Sequence, residues 1–206
     1  MSEEPIKRKF NAVEYSIKYP FTNTKSKYSS FIQGVICIVL IPLILPGIVF
    51  LGYNMKLLNN SIEGEDEAPS FEEYDKLMKI GFGGLMSYLP AIVLGLFIVA
   101  ASILIVESFI TMLLPISLLF PALSIMYAKK KDYQEVYSSD LVELLFSKFY
   151  GKILIYYLSY IIVLASTIWL LIGLSLGIGS IILLPLFFYA NNSFLGYIYS
   201  KDEIKL

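Results

Sequence analysis

Residues 52–81 read GYNMKLLNNSIEGEDEAPSFEEYDKLMKIG, the most charged stretch of a chain otherwise dominated by long apolar runs. Before it lies Phe31–Tyr53, and after it Phe82–Tyr127, in which Glu107 is the single charge. A membrane-spanning helix needs about 20 apolar residues. The first run is therefore long enough for one crossing, and the second for two crossings joined by a tight turn at Glu107. Further on, Ile153–Leu171 and Ile181–Tyr199 carry no charge and read as two more spans, with Gly173, Gly177 and Gly179 turning the chain between them. The fold class expected is all-α, a polytopic transmembrane helical bundle.

Within the charged stretch, Met55–Gly81 reads as a loop. Glu63, Glu65, Asp66 and Glu67 surround Gly64, and Ser70 with Glu73 has the spacing of a capping box. The residues that follow place Phe71, Tyr74, Leu77 or Met78, and Gly81 on one face, which predicts a short helix lying in the membrane interface. A second copy of that order opens at Asp140 and Glu143, with Leu141, Leu144, Leu145 and Phe149 as its apolar side. Two short interfacial helices are thus expected.

The first apolar run has IPLILPG at its centre, residues 41–47. Pro42, Pro46 and Gly47 make a helix break, because proline removes an amide donor and clashes with the preceding turn. Two forms fit: one kinked span, or two half-helices that re-enter on the side they left. Charge separates them. All 16 Lys and Arg lie before Phe31, in 54–81, in 128–152 or in the tail. A single crossing splits them between the two sides, whereas re-entry gathers them on one side, as the positive-inside rule prefers. The expectation is re-entry, with two spanning hairpins and cytoplasmic N- and C-termini in the cell membrane.

Composition agrees. Charged residues are 16% and hydrophobic residues 57%, against about 25% charged in soluble domains, and mean hydropathy is +0.70. Net charge of −1 argues against a nucleic-acid partner. The absence of histidine removes the commonest general base and metal ligand. No cofactor, catalytic constellation or metal site is expected. The lone Cys37 excludes an internal disulfide framework and reads as a small core residue. The domain division expected is a polar basic segment 1–30, without a signal-peptide core, one transmembrane domain 31–200, and a polar tail 201–206. Segment 1–30 reads either as lying on anionic headgroups or as a loosely ordered leader.

YPF at Tyr19–Phe21, PLILPGIVFLGY at Pro42–Tyr53, IEGEDEAPSFEEYDKLMKIG at Ile62–Gly81 and FFYANNSFLGYIY at Phe187–Tyr199 resemble the archaeal and bacterial integral-membrane family called domain of unknown function 4013. The resemblance implies a polytopic membrane protein of this length without assigned chemistry. Phe71 stands where the family usually has tryptophan.

Two clusters remain as candidate sites. Glu63, Glu65, Asp66 and Glu67 suit a cation, whose oxygen ligands they could supply, or a partner protein; a solvated acidic loop is the simpler reading. Asn191 and Asn192 suit either a polar path through the membrane or hydrogen bonds between helices. Tyr156, Tyr157 and Tyr160 read as an interfacial aromatic belt. The function expected is that of a non-enzymatic protein in the lipid bilayer that binds a protein partner, or a second copy of itself, or organises the envelope, through a charged cytoplasmic face. The alternative is a small permease using the broken hairpin with Asn191 and Asn192. A membrane enzyme acting on lipid headgroups comes third.

Overall fold

A computed structural model describes residues 11–23, 29–40, 44–105, 109–174 and 179–203. Among them are eight α-helices and no strand: α1 Ala12–Lys18, α2 Ser29–Val39, α3 Leu45–Glu63, α4 Tyr74–Ile105, α5 Phe109–Lys130, α6 Ser139–Phe146, α7 Lys148–Leu174 and α8 Gly179–Glu203. Short 3-10 turns occupy Tyr19–Phe21 and Glu135–Tyr137. Helix α8 is the hub, touching α1, α2, α3 and α7, while α4 lies along both α3 and α5.

The helix break falls in the expected stretch. α2 ends at Val39 and α3 begins at Leu45, with Pro46 in its first turn, where the missing amide costs nothing. Ile44 takes φ 63° and ψ −58°, near the rare strained form of the γ-turn. The two arms are separate helices and not one kinked rod. Pro42 lies outside the described residues, as do Glu107 and Gly177. At 1.5 Å per residue, the 11 residues of α2 extend about 16 Å, roughly half a bilayer core.

The charged stretch folds differently from its reading as a loop. Helix runs on to Glu63 and stops at Gly64, which takes φ 81° and donates its amide to the Asn60 carbonyl. The non-helical link is only 64–73. The expected first interfacial helix is not a separate element, because it is the beginning of α4, continuous for 32 residues. Its glycines do not stop it, since tertiary neighbours cover them. Gly52 and Gly81 lie backbone against backbone where α3 crosses α4: a Cβ on Gly52 would meet the Leu77 carbonyl, and one on Gly81 the Ile48 carbonyl. Tyr127 lies over Gly83, and Met55 over Gly84.

Neither expected cap forms. The Ser70 hydroxyl accepts the Glu72 amide at 3.2 Å, and the Glu73 carboxylate turns outward to Lys56 and Lys76. Asp140 pairs with Lys130 at 2.7 Å. A lysine within reach outbids a backbone amide for an exposed carboxylate. The second expected short helix is present and separate as α6, ended by extended backbone at Ser147, so that Phe149 falls on α7 instead. The Ser147 hydroxyl then accepts the Tyr150 amide and so caps α7. α6 leaves Val142 and Phe146 exposed, the latter 87%.

Residues 11–23 pack onto the helices and do not stand apart as a leader. Asn11 caps α1 by accepting the Glu14 amide, and Tyr15, Ser16 and Tyr19 have no exposed surface. Tyr15 stacks on Tyr19 at 4.8 Å and meets Tyr197 of α8 at 4.9 Å. Of the tyrosines read as a belt, only Tyr156 is exposed. Tyr157 and Tyr160 are buried, and Tyr160 bonds Ser16 at 2.8 Å and stacks on Phe194 at 3.8 Å.

Among the described residues, Tyr74–Phe97 and Lys148–Trp169 are long and apolar enough to cross a membrane. Each carries large apolar side chains that face outward: Phe97 is 71% exposed and Trp169 74%.

Candidate functional site

The polar segments that join the helices meet at one end of the molecule. The Tyr19 hydroxyl donates to the Glu67 carbonyl at 3.1 Å, and the Asn23 amide group to the Ala68 carbonyl at 2.9 Å. The Ala68 amide donates to the Thr22 hydroxyl at 2.9 Å. The chain just before α2 is thereby tied to the chain just after α3. Lys131, after α5, pairs with Glu63 at 3.0 Å, and Lys129 donates to the Tyr199 hydroxyl near the end of α8 at 3.0 Å.

On this end a groove of about 310 Å³ opens between α3, α4 and α5. Its floor is Met55, Ile80, Tyr127 and Ala128, with the Tyr127 ring held in place by its hydroxyl donating to the Ile80 carbonyl at 2.7 Å. Its rim carries Lys56, Asn59, Asn60 and Glu63 from α3, and Lys131. The four rim residues of α3 are spaced i, i+3, i+4 and i+7, one face of a helix. Such a stripe becomes visible only once 52–63 is taken as helix, and for that reason Lys56, Asn59 and Asn60 carry no assignment from the sequence alone.

Electrostatics at the rim are set by exposed pairs. Lys76 and Lys56 together hold the Glu73 carboxyl below the usual glutamate range, and Lys130 does the same for Asp140. The groove lining itself contains two cations and one carboxylate, with Lys131 paired to Glu63 and Lys56 to Glu73 just outside the lining.

The residues singled out in the sequence fall as follows. Of the acidic four, Glu63 stands on the groove rim facing Lys131. Glu65, Asp66 and Glu67 are exposed on the link, where the Glu67 carbonyl serves the N-terminal segment. Among the described residues, no three Cys, Asp or Glu side chains are placed to hold a metal ion. Asn192 donates to the Asn54 side-chain oxygen at 3.0 Å, joining α8 to α3. Asn191 donates to the Tyr157 hydroxyl at 2.8 Å, joining α8 to α7. Pro46 lines a second, apolar groove of about 300 Å³ between α2, α3 and Tyr74. Cys37 is buried.

Residues 35–90 match the family described as Protein of unknown function (DUF4013). That interval takes in the end of α2, the break, all of α3, the link and the first half of α4. No curated protein and no solved structure matches the chain.

Proposed function

Starting from the family match over residues 35–90, we propose that this chain is a multi-pass protein of the cell membrane, non-enzymatic, which docks a protein partner on one charged cytoplasmic face. In this reading α4 with α5, and α7 with α8, form two spanning hairpins, and α2 with α3 forms a re-entrant one. One observation carries it: the hydrogen bonds between Tyr19, Thr22 and Asn23 on one side and residues 67 and 68 on the other. Segments that touch across about 3 Å cannot lie on opposite sides of a hydrocarbon core about 30 Å thick. The apolar run between them therefore leaves and returns on one side, and the positive-inside rule makes that side cytoplasmic. The lipid-facing surface of α4 and α7 supports the spans, and their free backbone groups are satisfied within helices, as hydrocarbon demands. Asn191 and Asn192 act here as ties between helices, so the polar-path reading gains no support from them.

Cysteine accessibility in sealed cells tests the arrangement, in a Cys37→Ser background. Asn60→Cys and Ser138→Cys are expected to label only from the cytoplasm, and Ser108→Cys and Gly177→Cys only from outside. Labelling of Asn60→Cys from outside would mean that 31–53 crosses once. Partner capture from membranes, lost when Glu65, Asp66 and Glu67 are changed to Lys, tests the docking role; capture unaffected by that change would sink it.

A further inference from the structure

The groove between α3, α4 and α5 has a polar rim above an apolar floor, and both follow from how the helices meet. Helix α3 turns one face, Lys56, Asn59, Asn60 and Glu63, toward the rim. The backbone crossing at Gly52 and Gly81 brings α4 in close below it. Met55, Ile80 and the fixed Tyr127 ring then close the bottom with apolar atoms. At about 310 Å³, the space sits at the small end of ligand clefts, which run from about 300 to 1,000 Å³.

We propose that this groove binds the headgroup of one anionic phospholipid of the cytoplasmic leaflet, with the phosphate between Lys56 and Lys131 and the start of an acyl chain over Met55 and Ile80. The proposal rests on the membrane placement given above and names what the charged end recognises besides a partner protein. Charge selects the head: two ammonium groups face one carboxylate across the lining, and Asn59 and Asn60 add amide donors suited to phosphate oxygens. Depth selects an amphiphile over a free anion, because the floor offers nothing polar to a small hydrated ion. The existing pairs do not block the site. Lys131 is 64% exposed and Glu63 46% in their pair, and exposed pairs of this kind are weakly held. Lys56 shares Glu73 with Lys76, so Glu73 keeps a partner when Lys56 turns to phosphate.

The test is native mass spectrometry of the full-length chain, released from mixed micelles of phosphatidylglycerol and phosphatidylcholine. One phosphatidylglycerol should be retained about tenfold better than phosphatidylcholine, a difference of about 1.4 kcal/mol. Lys56→Met with Lys131→Met should abolish the preference, and Lys56→Arg with Lys131→Arg should restore most of it. Lys148→Met with Lys152→Met, at the same end but off the groove, should leave it intact. Equal loss in both Met pairs would reduce the preference to general surface charge and overturn the site. Displacement of the lipid by inorganic phosphate at comparable concentration would assign the groove to a free anion and also overturn it. Labelling Asn60→Cys from both sides separates two failures. No preference with cytoplasmic labelling rejects the groove alone, while labelling from outside rejects the membrane placement beneath it.

Discussion

Gly52 and Gly81 are the positions least able to accept a side chain, because each has the partner helix's backbone where its Cβ would be. Backbone cannot swing aside as a flexible side chain does, so the helices must separate. Gly52→Ala or Gly81→Ala is expected to cost about 1–3 kcal/mol as overpacking, read as a lower thermal midpoint in detergent. Gly151 is the contrast. It sits in α7 with nothing within 4 Å of its would-be Cβ, and Gly151→Ala should stabilise by about 0.5–1 kcal/mol by reducing unfolded-chain freedom. Glu73 gives a residue-level pH dependence. Lys76 and Lys56 lower its pKa in the folded state, so what the pairings contribute is fully present above the usual glutamate range. It is lost as pH falls through the lowered value. Hydrogen exchange of the amides at the start of α4 should accelerate in that acid window, and Glu73→Gln should remove the step.

Among elements, the link 64–73 and the N-terminal segment 11–23 depend on each other. The link is short and polar, and its order comes from Tyr19, Thr22 and Asn23. Replacing Thr22 with Val and Asn23 with Leu removes two of these bonds, at about 0.5–1.5 kcal/mol each. Limited proteolysis should then cut within Glu65–Ala68 several times faster, while α3 and α4 stay resistant. The break between α2 and α3 was legible from Pro46 and Gly47, whose chemistry is local. The capping boxes were not. Their spacing was correct, but Lys56 and Lys130 approach from elsewhere in the fold and take the carboxylates of Glu73 and Asp140. The two stretches with similar order also part company here, for one runs unbroken into α4 and the other stops at Ser147.

For the whole molecule, outward-facing apolar side chains on α4 and α7 are where the proposed membrane placement can be tested. Ile162 is 65% exposed midway along α7. Ile162→Asp should cost about 2.5–3.5 kcal/mol of insertion if it faces hydrocarbon at the centre of a span. A glycosylation-tagged insertion assay of α7 would show a clear drop in the inserted fraction; an unchanged fraction would mean that this face does not meet lipid. The apolar blocks were legible because length and lack of charge are enough to mark them. The groove was not, because it is assembled from α3 and from Tyr127 and Lys131, far apart in sequence. Polarity at Lys56, Asn59 and Asn60 looked like loop only while their common helical face had no known neighbour.

The contact between Tyr15 and Tyr197 has a consequence for biogenesis. A ribosome makes α1 well before α8, so Tyr15 of α1 must wait for Tyr197 of α8 to be made before this contact can cover it. At about 5–20 residues per second, that wait lasts on the order of ten to forty seconds. Until then α1 presents Tyr15 and Tyr19 to whatever quality-control machinery attends the nascent chain. Burial of these two rings thus reports that synthesis has run through α8, and a chain halted before it would keep them on display.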